Sequence, residues 1–542
     1  MNAGRTAWTV LDTAFGDGSK LLACWQQWKD TPQRPTLLHY VGMLAEVPSQ
    51  RDWPPALQTA CQSLGKGFSR ILLDGGRVSV TLCIGPLQTM LAEQSMQADT
   101  VLLGHGTGDW DKWTLKALAR LCRRGTRVVT QDGAQVLQNA LEEAGFRPAP
   151  PDYIFDPRWD PIGTRKGEAP TAIQSPARCA VIGAGLAGAS VAHALALRGW
   201  QLTVLDRHAR PALGASGLPV GLVVPHVSAD DSPRSRMSRS GTRLMLGHAR
   251  HLLAEGPDWA PSGVLEHLDA EAGKLWHPMA GWIKPALLVQ AWLDHPRIRF
   301  VAGAQVTGLR RQDGVWHLFN ENGQELAVAE HVVLANAFGS QSLLNSIAGV
   351  ADLQSDVLAK AAALQQVHGT LSHGLCPATP SGAATPPHWP EFPVNGNGSF
   401  IPCIPSASGL RWYAGSTFEL QDAATADVPA QHQANLQKLH ALLPKVGMEL
   451  ASAFMAGTVT SWQGTRCVTH DRLPLVGALQ NTADNSLWIC AGMGARGLSF
   501  SALCAELAVA QLHGEPLPVE ASLARGLSAR RPRRKRPVNQ TF

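Results

Sequence analysis

Over the first 146 residues, short apolar runs alternate with stretches of helical period. Residues 8–11, 37–41, 100–103 and 127–130 are apolar runs of strand length, and 113–122 spaces its apolar side chains along one helical face. Strands separated by helices are the pattern of a doubly wound α/β domain. The pattern stops at 147–177, where Pro148, Pro150, Pro151, Pro157, Pro161, Pro170 and Pro176 crowd together. Proline fixes φ and removes an amide donor, which suits neither a helix nor a central strand. This stretch is expected to be a linker between a unit at 1–146 and a second at 178–520.

The second unit opens on an apolar strand that runs into Gly183-x-Gly185-x-x-Gly188 and then an apolar helix. Gly183 permits a tight turn, Gly185 lets the backbone approach a pyrophosphate, and Gly188 lets helix and strand pack closely. The phosphates then meet the positive end of the helix. The next strand, 201–205, ends in Asp206, where a carboxylate would accept the ribose hydroxyls. Strand, glycines, helix and acid in this register point to a dinucleotide. Apolar runs at 330–337 and 486–494 read as later strands of the same sheet. A domain that is left and re-entered implies an insertion, expected at about 270–330 and 355–460, with strands near 362–373 and 398–418.

Composition narrows the setting. The chain has 542 residues, 45% hydrophobic and 16% charged, which is enough for two or three globular cores. Ten cysteines show no CxxC pair, and the N-terminus carries no signal-like apolar run, so a reduced, cytoplasmic protein is expected. No run is long enough for a membrane helix and no metal motif is present. The net charge is +5, and Arg530, Arg531, Arg533, Arg534, Lys535 and Arg536 account for all of it. Residues 521–542 are therefore expected to be a solvated basic tail; an RNA tether is the sharper alternative.

After Asp206, the small residues Gly214, Ala215, Ser216 and Gly217 let backbone pass close to something large and flat. Towards the C-terminus stand Arg466, in a stretch running to Gly477, and then Gly494, Ala495, Arg496, Gly497 and Leu498. Together these motifs resemble the D-amino-acid-oxidase-like class of FAD enzymes. The resemblance implies that FAD lies along Gly214–Gly217, that Gly494, Ala495, Gly497 and Leu498 open a helix facing the flavin, and that Arg466 binds a substrate carboxylate. Arg496 is the second candidate for the substrate. A bidentate guanidinium fork suits a carboxylate. His226 and His277 are noted near the substrate path, without an assigned role.

With residues 277–285 added, the motifs resemble those of the bifunctional tRNA 5-methylaminomethyl-2-thiouridine biosynthesis (MnmC) family over most of 178–520. That resemblance implies FAD-dependent oxidation of the carboxymethylaminomethyl arm on the wobble uridine of tRNA, with glyoxylate released and the aminomethyl form left. The arm is a glycine derivative, so a glycine-oxidase-like site suits it. The family's Gly-Tyr-x-x-Pro strand departs here at 398–402, where Gly-Ser-Phe-Ile-Pro carries no tyrosine.

The same family carries an N-terminal S-adenosylmethionine methyltransferase domain, which residues 1–146 resemble less well. Residues 11–22 look like its glycine loop. However, 40–44 offer no carboxylate for the ribose, the domain begins late, and the family's Asp-Gly-Phe-Ala-Pro motif falls on 104–108, putting Gly104 in place of the acid. A degenerate methyltransferase-like domain is expected, with S-adenosylmethionine a doubtful ligand; substitution by Asp109 or Asp111 is the competing view. The full expectation is α/β: a doubly wound methyltransferase-like domain, then an FAD-binding Rossmann-type domain with an inserted mixed-sheet substrate domain. The rival readings are a small-molecule glycine or amine oxidase and a non-catalytic tRNA-binding flavoprotein.

Overall fold

A computed structural model describes residues 6–531 except 48, 50–52, 63, 105–109, 131–136, 160–171, 174, 269–272, 348–352, 354–362, 378–384, 421–426 and 481–484. The N-terminal sheet has eight strands, in the spatial order Gly67–Leu73, Val78–Ile84, Leu37–Leu44, Ala7–Asp12, Ala98–Leu103, Cys122–Thr130, Asp152–Phe155 and Phe146–Ala149. Its inner pairings are parallel. Side chains alternate between two cores: Leu11, Val41 and Val101 on one face, Val10, Tyr40 and Val80 on the other. Burial on both faces explains why these strands read as continuous apolar runs.

The proline-rich stretch differs from the expectation at its start. Phe146–Ala149 and Asp152–Phe155 form an antiparallel hairpin that completes the sheet. Pro148 is tolerated because its strand is the outermost, with nothing beyond it to accept an amide. Phe146 and Phe155 pack with ring centroids 4.9 Å apart, which draws the hairpin into the first core.

The second sheet runs Ile298–Val301, Gln201–Leu205, Arg178–Ile182, His331–Leu334, Leu487–Ala491 and Leu475–Ala478, parallel except for the last strand. The strands at 331–334 and 487–491 are the two expected returns. The helix Leu186–Leu197 is apolar on nearly every side because it is sandwiched between this sheet and the helix Gly497–His513. A third helix, Pro233–Leu252, crosses the latter so closely that a Cβ on Gly241 would collide with the carbonyl of Ser499.

The inserted sheet is mixed: Lys274–His277, Val264–His267, Val394–Gly396, Gly398–Ser406, Gly409–Gly415, Gln365–Leu375 and Glu419–Leu420, with Thr460–Val468 also paired to Gln365–Leu375. One face is covered by the helices Val428–Leu442 and Pro444–Met455 around Trp412, Phe400 and Leu439. The other face, with Leu371, Ile401 and Tyr413, packs on Val220 and Trp282 of the dinucleotide unit. The first inserted piece differs from 270–330. It already includes Val264–His267, whereas Ile298–Val301 belongs to the dinucleotide sheet and the meander at 308–329 packs on it, with Trp316 Nε1 donating to Ser486 Oγ at 3.0 Å.

The expected tail is also partly folded. Ala521–Leu527 is a helix whose Leu523 and Leu527 enter the dinucleotide core, and Arg531 makes two 2.8 Å contacts with the Asp471 carboxylate. Residues 532–542 lie outside the described residues.

The two halves meet on charge. Arg198 grips Glu515 with both a 2.8 Å and a 2.7 Å hydrogen bond and reaches Glu506 at 3.3 Å, while Arg70 of the N-terminal sheet lies 3.8 Å from Glu506 and donates to the carbonyl of Pro516. All four charges are buried. Beside them Gln94 exchanges hydrogen bonds with the backbone of Leu517, at 3.3 and 2.7 Å. Burial alone would raise the Glu515 carboxyl, yet Arg198 and His39 hold it well below the usual carboxylate range. Its stabilisation is therefore full above the unfolded value of 4.5 and is lost as pH falls towards the folded value. Arg198→Met, which leaves both glutamates buried without their main partner, is expected to cost about 3–5 kcal/mol at neutral pH by denaturant unfolding. The deficit should shrink below about pH 4.5 as the glutamates protonate; an equal deficit at neutral and acid pH would contradict this account.

Candidate active site

The glycine loop is built around the end of the strand Arg178–Ile182. Gly183 has a φ of +105°, and a Cβ there would lie 2.6 Å from the carbonyl oxygen of Ala335. Asp206, at the end of the neighbouring strand, takes the amide of Ala184 on one carboxylate oxygen at 2.8 Å. Its other oxygen takes the amide and Nδ1 of His208, at 2.9 and 2.8 Å. The carboxylate is thus aimed and held before any ribose meets it. The sequence reading did not single out His208, which steadies this carboxylate from only two residues away.

The small-residue loop closes over the same helix end. Ala215–Gly217 form one 3₁₀ turn, and Ser216 Oγ accepts the amide of Leu186, the first residue of the helix, at 2.9 Å. A Cβ on Gly185 would come within 3.0 Å of that hydroxyl, and one on Gly217 within 2.5 Å of the carbonyl of Ala212. The glycines make a cradle that side chains would fill. The C-terminal motif arrives from the opposite side: Gly494–Arg496 form a short turn into the helix Gly497–His513. Leu498 fills the place a Cβ on Gly221 would take, 2.6 Å away, and Ser499 Oγ donates to the carbonyl of Val224 at 3.3 Å. Gly183, Gly185, Gly188, Asp206, Gly214–Gly217 and Gly494–Leu498 are therefore drawn into one region, and this geometry fits FAD.

Arg466 stands on the strand Thr460–Val468. Successive side chains alternate across a strand, so Trp462, Gly464 and Arg466 share a face. The Trp462 indole nitrogen lies 3.9 Å from where a Gly217 Cβ would be, and Val468 bridges to Met493 just ahead of Gly494. The guanidinium donates to Ser416 Oγ at 2.6 Å and to the carbonyl of Thr417 at 3.5 Å, with the Phe418 ring centroid 5.6 Å away. Gly369 makes room for it, since a Cβ there would sit 2.6 Å from Nη1. Burial lowers its pKa, and no carboxylate pairs with it among the described residues.

Arg496 belongs to a second polar group. Glu266 accepts from His277 Nε2 at 2.7 Å and from Asn395 Nδ2 at 3.2 Å, and its charge acts on Arg496. His226 accepts a hydrogen bond on Nε2 from Arg234 at 2.9 Å. Burial first, then Arg234 and Arg496, push His226 down to about 4, so it is neutral at neutral pH. Arg234, Glu266 and Asn395 were not found from sequence: they come from three distant segments and sit in no motif.

The glycine loop of the N-terminal unit is filled differently. Asp12 is buried, bonded to Lys20 Nζ at 2.6 Å and to the Tyr40 hydroxyl at 2.8 Å, while Lys20 also donates to the carbonyl of Ala14. The Phe15 ring covers Gly42, where a Cβ would collide with it. A Cβ on Gly104 would collide with that of Ala14. Asp111, one candidate substitute acid, instead caps the helix Lys112–Arg120 by accepting the Thr114 amide at 2.7 Å. Asp109, the other, lies outside the described residues.

Comparison with known proteins bears on both units. The family described as FAD dependent oxidoreductase (DAO) matches residues 178–273 and 266–511. The chain is 44% identical to the tRNA 5-methylaminomethyl-2-thiouridine biosynthesis bifunctional protein MnmC of Albidiferax ferrireducens, over 97% of this chain and 93% of that one. It is 41% identical to the protein of the same name from Polaromonas naphthalenivorans, over 96% and 89%, and 31% identical to that of Cupriavidus necator, over 96% and 89%. In fold, glycine oxidase from Geobacillus kaustophilus matches with a TM-score of 0.52 at 17% identity, covering 66% of this chain and 99% of that one.

Restoring an acid at position 104 tests how the N-terminal loop is packed. Gly104→Asp is expected to lower stability by about 1–3 kcal/mol through overpacking against Ala14. Adding Ala14→Gly should recover part of that loss beyond the effect of Ala14→Gly alone, measured by a double-mutant cycle in denaturant.

Proposed function

Because the chain belongs to the family of tRNA 5-methylaminomethyl-2-thiouridine biosynthesis bifunctional proteins and is an FAD-dependent oxidoreductase within it, we propose that it oxidises the carboxymethylaminomethyl arm of a wobble 2-thiouridine in tRNA. The products are the aminomethyl uridine and glyoxylate. The partner is tRNA and the compartment the cytoplasm. Among the described residues no helix is long and apolar enough to cross a membrane, and no group of side chains that could hold a metal ion is found.

FAD, when bound, supplies the acceptor for two electrons. Asp206 would hold its ribose, the glycine loop and Ser216 its phosphates, and the turn at Gly494–Leu498 its ring edge. The protein's own residues hold the arm. Arg466 meets the carboxylate with its fork, in a pocket whose burial strengthens the contact. Trp462, on the same strand face, reaches the small-residue loop, so the strand orients the arm against it. The positive charges of Arg496 and Arg234 disfavour an ammonium at their end of the site. A neutral secondary amine is the form that can give up its electrons. Loss of two electrons and two protons across the N–CH₂ bond leaves an imine, and water cleaves it to the primary amine and glyoxylate.

The observation that carries this reading is Arg466: a half-buried guanidinium with no carboxylate partner among the described residues, on the strand that links the small-residue loop to the C-terminal glycine motif. For the N-terminal unit we propose no methyl transfer. Lys20 and Phe15 fill the loop that would take the cofactor, and Ala14 occupies the space a side chain at 104 needs.

Incubating the FAD-loaded protein with tRNA bearing the carboxymethylaminomethyl group should yield aminomethyl nucleoside and glyoxylate on nucleoside analysis. No aminomethyl nucleoside would overturn the oxidase assignment, and methylaminomethyl nucleoside on adding S-adenosylmethionine would overturn the degenerate assignment. Arg466→Lys keeps the charge but loses the fork, and is expected to lower kcat/KM by about ten- to a hundredfold.

A further inference from the structure

Away from the flavin region, a small cleft of about 30 Å³ opens where the two halves meet. Its walls are the turn before the strand Gly67–Leu73, one face of the helix Pro233–Leu252, and the segment leading into the helix Ala521–Leu527. Four cations line it, Lys66 from the N-terminal half and Arg236, Arg239 and Arg243 from the helix, against one acid, Glu520.

The internal pairings leave donors over. Glu520 lies 3.6 Å from Arg236 Nη1, and burial pushes its carboxyl upward. Arg239 pairs with Asp231 at 2.5 Å through one nitrogen, and Arg243 donates to Ser69 Oγ at 2.9 Å. Arg236 Nε and Ser240 Oγ are buried with no hydrogen-bond partner, and Ser240 is only 4% exposed. A buried donor without a partner needs an explanation, and a bound ion is one. A hydroxyl, a guanidinium Nε and three further cations around one cleft match the oxygens of a phosphate.

The helix also fixes where this cleft lies. Arg234, which bonds His226 in the candidate active site, is on its first turn, while Arg236, Arg239 and Arg243, three and four residues apart, follow along the other face. At about 1.5 Å of rise per residue, the cleft residues lie about 3–14 Å along the helix axis from Arg234. That is a span of a few nucleotides.

We propose that this cleft seats a backbone phosphate of the tRNA, close in sequence to the uridine whose arm enters the active site. The proposal rests on the tRNA reading of that site. It gives the N-terminal half a task that needs no chemistry of its own: it supplies Lys66 and the wall opposite the helix. Phosphate contacts of this kind set register and orientation rather than sequence choice.

The test is binding, read without turnover. FAD-loaded full-length protein is titrated with a fluorescent anticodon stem-loop RNA over a range of KCl concentrations. The pair Lys66→Gln/Arg239→Gln should raise Kd about tenfold at 0.1 M salt and make the slope of log K against log salt shallower by about 1.5. The exposed Lys66→Gln alone should give about half that change in slope. Removing two exposed charges elsewhere, Arg299→Gln/Arg310→Gln, should leave both quantities as in the parent. Equal effects from the two pairs, or none from either, would overturn the proposal. So would displacement of the RNA by millimolar inorganic phosphate at constant ionic strength, which would mark a free-anion site. Unchanged flavin absorbance and thermal midpoint show that the variants fold. A parent protein that binds RNA in this pattern but does not oxidise the arm refutes the proposed activity alone. One that oxidises the arm with no effect of the cleft variants refutes only the cleft.

Discussion

Four charges with almost no access to water, Arg70, Arg198, Glu506 and Glu515, join the two halves. Removing such groups from water is costly, and mutual attraction offsets the cost only at good geometry. That demand fixes the interface: a small slide of the N-terminal sheet would separate Arg70 from Glu506 and leave a buried ion exposed to no partner. Glu506 sits on the helix Gly497–His513 and Glu515 just beyond it, while the first turn of the same helix borders the strand Gly221–Val223 beside the candidate active site. One rigid rod about 25 Å long thus connects the interdomain contact to the candidate active site.

The N-terminal half keeps the architecture of a nucleotide-binding domain with a filled loop. Lys20 neutralises a buried aspartate and Phe15 packs into the space over Gly42, so these loop residues contribute to the stability of the fold. Such a domain can still present a surface, and Arg70, Gln94 and Lys66 all lie on the side turned to the oxidase half.

Much of the fold was legible in the chain because it is encoded locally. The run ahead of Gly183, the acid at 206 and the apolar returns at 331–334 and 487–491 are each set by neighbours within a few residues, and each lies where its pattern put it. What was not legible depends on distant partners. Prolines at 148, 150 and 151 look like a linker until an open sheet edge is available to them. A basic run looks solvated until Asp471 is found opposite Arg531. The inserted sheet begins at 264 rather than 270 because Val264–His267 pairs with a strand more than a hundred residues away. At the candidate site the motif arginines could be named from their surroundings in sequence, whereas Arg234, Glu266 and Asn395 acquire meaning only when three segments converge.

The interdomain ion cluster also constrains the order of events during synthesis. Arg70 and Pro516 are 446 residues apart, and Gln94 and Leu517 are 423 apart. At about 5–20 residues per second, the N-terminal sheet waits roughly 20–90 seconds on the ribosome before its partners are made. Throughout that interval Arg70, which ends up 0% exposed, must stay hydrated on an open face. The nascent N-terminal unit therefore carries an unmatched cation until residues 506–517 are made.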